Sequence, residues 1–220
     1  MVKSKQSVNP FPSYDPSDIA AAFQLKVNKN CSHLENWLQA PTYELQPHKQ
    51  AFFEDLAADA TIDASYWNEE ELKIKLIGTL FRIAEIEVPE QVKVFFERSI
   101  SATVQGYDLA VKADCIVATP LPFNKPTHPY FFLQEFKKKR GEKNDPEGQL
   151  LCAMLIAQEL NQDNKPIYGG YLFGSVWNFA TLLGNDYCCS REFNATNRQD
   201  LLQIVFILRH LKELILNRQS

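Results

Sequence analysis

The chain has 220 residues, of which 45% are hydrophobic and 23% are charged, and its formal net charge is −4. This length allows either one domain with an extension or two small domains, and the acidic balance argues against indiscriminate binding to nucleic acid, which depends on Lys and Arg. No run of about 18 apolar residues is present to span a bilayer, and the basic N-terminus continues into polar, proline-rich sequence, so we predict a cytoplasmic protein without a membrane partner.

The composition and periodicity of the first part of the chain predict an arm followed by a helical extension. Residues up to about Pro16 are rich in Pro, Ser and Asn, a composition that is typical of extended or poorly ordered sequence. Helical periodicity follows in residues 17–27, 32–38 and 48–59. We assign residues 1–66 to this arm and extension, and residues 67–220 to one α/β domain.

The α/β domain begins with a strongly amphipathic helix. Residues 68–71 (Asn-Glu-Glu-Glu) open it with acids in the first turn, an apolar stripe runs to about Ile86, and Pro89 closes it. A short strand is predicted in residues 93–97. A longer strand follows in residues 108–117, where charged and apolar side chains alternate. We therefore predict that one face of this strand is buried and that the other presents the charged, potentially reactive side chains.

Proline separates this strand from the next one. The four prolines of residues 119–129 cannot continue a ladder, so we predict a loop there and a strand in residues 130–138. Asp145-Pro146 begins a helix that ends at about Leu160. The remaining predicted elements are three short aromatic-rich strands and a C-terminal helix, in residues 167–173, 176–183, 187–190 and 197–216. The C-terminal helix carries more apolar surface than one sheet face covers, which predicts a possible homodimer.

The five cysteines and four histidines show no spacing that indicates a metal or catalytic site. The number of cysteines is odd, Cys-x-x-Cys does not occur, and Cys115, Cys152 and Cys188 lie in hydrophobic runs. We interpret these cysteines as buried thiols. The scattered histidines support neither a zinc site nor a Ser-His-Asp triad.

The segment of residues 131–139, Phe-Phe-Leu-Gln-Glu-Phe-Lys-Lys-Lys, carries the most informative charges of the chain. Glu135 and Lys137 are two residues apart in a strand and therefore share a face, and Asp114 lies on the preceding strand. Charges at strand ends are commonly an exposed ion pair. Here the strand is predicted to be central because large apolar residues precede Glu135, and central strands seldom hold charges without a purpose. The pattern favours a metal-dependent phosphodiesterase site.

Asp114, followed after one loop by Glu135-Phe136-Lys137, resembles the signature of the PD-(D/E)XK nuclease superfamily, although Ala113 stands where the name has Pro. The predicted order of helix, three strands, helix and strand matches the αβββαβ core of that family. The resemblance implies a restriction-endonuclease-like fold with a mixed central sheet, an N-terminal helical extension and a C-terminal helix. It also implies a metal-dependent nuclease that hydrolyses phosphodiester bonds of nucleic acid, with DNA favoured over RNA as the substrate.

The resemblance gives the individual residues their expected roles. Asp114 and Glu135 would hold Mg²⁺ or Mn²⁺, which take oxygen ligands. Lys137 would assist proton transfer at the attacking water or hold the scissile phosphate. Gln149, in the first turn of the following helix, corresponds to a glutamine that contacts the lysine or the phosphate in some branches of the superfamily.

Glu71 and the basic run each have two interpretations. Glu71, or Glu70 if the register differs by one residue, corresponds to a glutamate that often completes the metal sphere, but a capping box of Asn68 with Glu71 explains Glu71 as well. Lys138, Lys139 and Arg140 either line a nucleic-acid path or form a solvated basic loop. The competing function for the whole chain is a catalytically silent module with the same fold, which binds protein or nucleic acid.

Overall fold

A mixed sheet of eight strands forms the centre of the computed structural model, which describes residues 10–29, 31–137 and 145–219. The strands are β1 (Lys26–Asn28), β2 (Lys93–Val104), β3 (Tyr107–Leu121), β4 (Lys125–Lys137), β5 (Ile167–Phe173), β6 (Val176–Leu183), β7 (Asp186–Cys189) and β8 (Phe193–Asn194). Their order across the sheet is β1-β7-β6-β5-β4-β3-β2, and β8 pairs with β6.

Helices cover both faces of this sheet. They are α1 (Pro16–Ala22), α2 (Ser32–Leu38), α3 (Pro47–Asp63), α4 (Glu69–Glu71), α5 (Gly78–Ala84), α6 (Pro146–Asn161) and α7 (Arg198–Gln219), with a π-helical stretch, Leu72–Ile77, that joins α4 to α5. The described chain is therefore a mixed α/β structure with an open mixed sheet, which confirms the predicted class.

The middle of the chain supplies the strands that carry the candidate residues. β2, β3 and β4 form an antiparallel meander, and α6 then returns the chain so that β5 pairs with β4 in parallel. A parallel pair requires such a crossover, and a helix is its usual form. The apolar residues of α6, from Leu150 to Ala157, are all buried, because the sheet covers one side of the helix and α1 packs on it as well.

The opposite face of the sheet is covered by α2, α3, α5 and α7. Trp37 of α2 and Phe53 of α3 are fully buried in the same hydrophobic cluster as the apolar side of α7, and the Trp37 Nε1 donates a hydrogen bond of 2.9 Å to the Ile207 carbonyl. The helices that we predicted as an extension therefore belong to the main core. Most large apolar residues of α7 are buried within the chain, and Leu202 and Phe206 are partly exposed.

The predicted helix in residues 17–27 is wrong in its second half. Asp15 caps α1 by accepting hydrogen bonds from the backbone N–H groups of Ser17 and Asp18, and the helix ends at Ala22. Gln24 has a positive φ of 53°, which turns the chain, and residues 26–28 then form β1 beside β7. Helical spacing of a few apolar residues did not reveal this parallel pairing with a strand more than 150 residues away.

The predicted loop in residues 119–129 is wrong as well, because β3 and β4 continue through it as a hairpin. Pro120 and Pro126 are partners across this hairpin. β2 pairs with β3 only as far as Ala118, and β5 pairs with β4 only from Phe132 onward. Within the described residues, the proline-rich part of the hairpin therefore has no third strand beside it, which is where proline is tolerated in a sheet. The β3–β4 register shifts between Val117 and Thr119, where this part begins.

The cysteines divide into two groups. Cys115 and Cys152 are buried free thiols, as predicted, and Cys189 is a free thiol that is only partly buried, whereas Cys188 forms a disulfide with Cys31, with the two Cα atoms 6.3 Å apart. That distance lies in the usual range for a disulfide. The interpretation of Cys188 as a free thiol is corrected by a pairing that joins the start of α2 to β7. Within the described residues, no helix has both the length and the apolar character needed to cross a membrane.

Candidate functional site

Asp114 lies on β3 opposite Glu97 of β2, because the register of these two strands runs from Phe96 opposite Cys115 to Arg98 opposite Ala113. On the other side of β3, pairing with β4 begins only at Cys115 opposite Gln134. The β3–β4 ladder therefore stops one residue short of Asp114.

The Asp114 side chain is hydrogen-bonded to the backbone of β4. Its Oδ2 accepts a hydrogen bond of 3.0 Å from the backbone N–H of Phe136. This contact holds the Asp114 carboxyl beside Glu135, which is only 1% exposed. The two acids that the sequence pattern predicted to act together are thus close in space.

The surroundings of the two acids disfavour their charged forms. Burial raises the pKa of Glu135 well above its ordinary value, and the neighbouring Asp114 carboxylate raises it further. Burial also raises the pKa of Asp114, while the Phe136 N–H and the charge of Lys137 act in the opposite direction. Among the described residues, neither carboxyl oxygen of Glu135 has a hydrogen-bond partner of good geometry. Burying a carboxyl without a partner costs free energy, so this site has an unmet need for positive charge or for a proton.

Lys137 lies at the end of β4 and is held by the helix that precedes the meander. Its Nζ is 3.4 Å from the Glu69 Oε1, and its side chain is 17% exposed. The charge of Lys137 favours the ionised forms of both Asp114 and Glu135. The lysine therefore sits at the edge of the acid pair with its own acidic partner.

Glu71, the predicted third metal ligand, takes part in the cap of the helix. Its side chain accepts from the Asn68 backbone N–H at 3.0 Å, the Asn68 side chain accepts from the Glu71 backbone N–H at 2.9 Å, and Lys75 pairs with Glu71 at 3.2 Å. These contacts are those of the competing interpretation. Glu69, two residues before Glu71, is the helix acid that contacts Lys137.

Gln149 lies in the first turn of α6, where Asp145 is the N-cap. Its side-chain Oε1 is buried, and within the described residues it has no hydrogen-bond partner. Cys152, one turn further along α6, is close enough to Glu135 for the acid to raise the pKa of the thiol, although burial is the larger cause. Residues three apart on a helix are neighbours, so Gln149 lies on the side of α6 that approaches Glu135.

The N-terminal segment of residues 10–15, which we call the strap, passes over the start of α6. The Tyr14 hydroxyl donates a hydrogen bond of 3.0 Å to the Ala110 carbonyl of β3. The Tyr14 carbonyl lies against Gly148 so closely that a Cβ there would come within 1.7 Å of the oxygen. Glu135 also contributes to the raised pKa of Tyr14, after burial and Cys152. The strap therefore closes the α6 side of the acid pair.

Glu97 is a further acid of the site that sequence reasoning did not single out. It lies on β2 opposite Asp114, with a positive φ of 56°. Two lysines neutralise it, Lys73 at 2.6 Å and Lys112 at 2.5 Å. Its charge contributes to the raised pKa of Asp114. Only the register of β2 against β3 reveals this position, because the predicted strand of residues 93–97 ended there.

Lys138, Lys139 and Arg140, which we predicted to contact nucleic acid, lie outside the described residues. Of the other predicted site residues, Asp114, Glu135 and Lys137 lie together on β3 and β4, Gln149 lies in the first turn of α6, and Glu71 lies in the cap of α4. Carboxylate oxygens are the ligands that Mg²⁺ and Mn²⁺ prefer. The unpartnered oxygens of Glu135 beside Asp114 therefore fit a hard divalent cation.

No protein-family model matches the chain, and no curated protein sequence matches it.

Proposed function

We propose that this chain is a divalent-metal-dependent nuclease that hydrolyses phosphodiester bonds. The observation that carries the proposal is the buried Glu135, whose two oxygens lack hydrogen-bond partners of good geometry among the described residues and lie beside the carboxyl of Asp114. Two adjacent buried acids cannot both ionise without repulsion unless a cation lies between them. A divalent cation there offsets the repulsion and the cost of burying the charges.

Each residue has a chemical task in the proposed reaction. Asp114 and Glu135 would hold Mg²⁺ or Mn²⁺, and the bound ion would stabilise charge on the phosphate and lower the pKa of a water molecule. The Phe136 N–H fixes the Asp114 carboxyl, so this ligand is oriented before the ion arrives. Lys137 holds the scissile phosphate or orients the attacking water, and Glu69 positions its ammonium group.

The order of the elements supports a restriction-endonuclease-like core. The helical stretch from α4 to α5 is followed by β2, β3 and β4 in antiparallel order, then by α6 and the parallel strand β5. This is the αβββαβ order that the resemblance to PD-(D/E)XK nucleases implies. Gln149 at the start of α6 has a buried, unpartnered carbonyl oxygen among the described residues, which suits a contact to Lys137 or to a phosphate-bound water. DNA is the proposed substrate.

A catalytically silent module is the second candidate, and one observation favours it. Glu135 is 1% exposed and the strap packs beside it, so little of the acid pair is open to a large substrate. In a silent module, Asp114, Glu135 and Lys137 form only a buried network, and the surface binds a protein or nucleic acid without cutting it.

Cleavage of labelled DNA in the presence of Mn²⁺ distinguishes the two functions. We expect wild type to cut and Lys137→Ala to lose at least about 100-fold in rate while it still binds Mn²⁺, because the amine serves the water and phosphate and the acids serve the cation. Lys125→Ala, at the exposed opposite end of β4, is the matched control and should cut like wild type. The silent module is the correct description if wild type cuts neither DNA nor RNA with Mg²⁺ or Mn²⁺, or if Lys137→Ala cuts as fast as wild type.

A further inference from the structure

A second cluster of metal-binding atoms lies at the other side of the sheet. The Sγ atoms of Cys31 and Cys188 and one ring nitrogen of His33 all lie within 4.8 Å of one another. β7, which carries Cys188, is separated from β4 by β6 and β5, so this cluster is distinct from the acid pair of Asp114 and Glu135. No step of the proposed nuclease reaction uses it.

The topology explains why these three residues meet. β1 pairs in parallel with β7, and this register places Asn28 opposite Cys188. Three residues later the chain turns into α2, with Cys31 at the N-cap position and His33 in the first turn. The Cys31 side chain makes no capping hydrogen bond, so it is available to face Cys188.

A disulfide explains the two cysteines of this cluster but not the histidine. The Nε2 of His33 is buried, and it has no hydrogen-bond partner among the described residues. A disulfide does not provide a good partner for this nitrogen, since its sulfur atoms are weak hydrogen-bond acceptors and carry no charge. Asp186, on the same face of β7 as Cys188, adds a negative charge that acts on the His33 ring. Both features suit a cation at the centre of the cluster.

The donor set is that of a borderline transition metal. Zn²⁺ binds thiolate sulfur at about 2.3 Å and imidazole nitrogen at about 2.0 to 2.1 Å in tetrahedral geometry, so its donors lie roughly 3.5 to 4 Å apart. In the disulfide state the two sulfur atoms are bonded to each other, so they must separate on reduction to reach this spacing, and all three donor atoms already lie within 4.8 Å of one another. Mg²⁺ prefers oxygen ligands, so the ion for this cluster differs from the ion that suits Asp114 and Glu135.

We propose that the reduced chain binds one Zn²⁺ through Cys31, Cys188 and His33, and that zinc and the disulfide are alternative states of the same pair of cysteines. The fourth coordination position is open to water. The site links the start of α2 to β7, and either state supplies that link. Binding converts two thiols into two thiolates, so each Zn²⁺ that enters releases two protons to solvent.

Reduction must come before metal binding, and a water-soluble phosphine supplies the electrons. The phosphine takes up one oxygen atom from water and becomes a phosphine oxide, and the two hydrogens of that water convert the disulfide into two thiols. Zinc bound after removal of the phosphine then competes with reoxidation by air. The oxidised chain has no thiolates in this cluster and should bind no ion there.

Cobalt(II) titration of the reduced chain under nitrogen tests the proposal, because thiolate-to-cobalt charge-transfer absorption is absent when only carboxylates bind the ion. We expect one Co²⁺ per chain with this absorption, displacement by one Zn²⁺, and no absorption in the oxidised chain. Proton release of two per Zn²⁺, followed with an indicator dye in weak buffer, checks the stoichiometry.

Three variants complete the test. Cys31→Ser should lose the charge-transfer band, His33→Ala should weaken zinc binding at least about tenfold, and Cys189→Ser, which alters the neighbouring cysteine outside the cluster, should bind like wild type. Far-UV circular dichroism establishes that each variant is folded. Cys188 is left unchanged because it is buried, so Cys31 and His33 carry the test. The proposal is overturned if the reduced wild type shows no charge-transfer band, or if both Cys31→Ser and His33→Ala bind zinc as tightly as wild type.

Discussion

The buried carboxyl of Glu135 makes the stability of the metal-free chain depend on pH in an unusual direction. Its pKa in the folded chain is raised by burial and by Asp114, whereas the unfolded chain ionises near the ordinary value of 4.5. Between these two pKa values the folded chain holds a proton that the unfolded chain has released. The free energy of unfolding therefore falls as pH rises through this window, and it becomes constant above the raised pKa.

The size of the effect follows from the number of protons. One proton difference corresponds to a slope of about 1.4 kcal/mol per pH unit. For a chain of this length, 1 kcal/mol shifts the melting temperature by about 2 to 4 °C, so Glu135 alone should lower it by roughly 3 to 5 °C for each pH unit inside the window. Asp114, whose pKa is also raised by burial, adds a smaller contribution of the same sign.

Glu135→Gln is the variant that tests this reasoning. Glutamine has nearly the same shape and cannot titrate, so the variant should lose most of the slope. It should be about as stable as wild type at pH 4.5 and more stable at pH 8, by an amount that grows with pH. Urea unfolding in EDTA at half-unit steps from pH 4.5 to 8 measures both curves, with Glu159→Gln, an exposed acid on α6, as the control.

Added Mn²⁺ should reverse the trend in wild type and leave Glu135→Gln unchanged. The ion replaces the proton, so its affinity should rise with pH by up to about tenfold per unit for each proton that it displaces. An ion at 100 times its dissociation constant adds about 2.7 kcal/mol to the free energy of unfolding. Parallel pH curves for wild type and Glu135→Gln in EDTA would show that Glu135 is not the buried titrating acid, and the metal site would lose its main support.

Two further predictions concern the packing around the site. Gly148→Ala should destabilise the chain by about 1 to 3 kcal/mol and expose Tyr14 to modification by iodine, because the new Cβ overlaps the Tyr14 carbonyl. The control is Gly78→Ala, whose Cβ meets its nearest neighbour at 3.4 Å and which should cost no stability. Equal urea midpoints for the two variants would contradict the packing of the strap against α6. Trp37→Phe should cost about 1 to 3 kcal/mol, since it removes the hydrogen bond from the Trp37 Nε1 to the Ile207 carbonyl and part of a fully buried ring. Circular dichroism and fluorescence should report one shared transition, and two transitions would mean that the helices of residues 1–66 unfold separately from the sheet.

Long alternating or apolar segments were predictable from the sequence because their burial depends on their own residues. The strands β5 and β6 have the predicted bounds, and the Asp-Pro start of α6 acts as cap and first helical residue, as expected. Asp114 and Glu135 were found because an acid inside an apolar strand is rare enough to require an explanation.

Features that depend on distant partners were not predictable in this way. The strand Lys26–Asn28 is exposed and short, and only β7 makes it a strand. Glu97 has no local motif, and the register between β2 and β3 is what brings it to Asp114. His33 and Cys31 form a Cys-x-His sequence that carries little weight until the fold adds Cys188 from the far end of the chain.

The charges near the meander also explain why a cation would bind more favourably at one pair of acids than at the other acids nearby. Glu97 is matched by two lysines, and Glu69 pairs with Lys137, so neither acid gains much from a further positive charge. Asp114 receives one backbone N–H, whereas Glu135 receives no well-formed hydrogen bond from the described residues. The gain from a divalent ion is therefore largest between Asp114 and Glu135. Because both carboxyls are withdrawn from water, this attraction is screened less by salt than that of the exposed acids, so binding of Mn²⁺ should persist at ionic strengths that abolish weak surface binding.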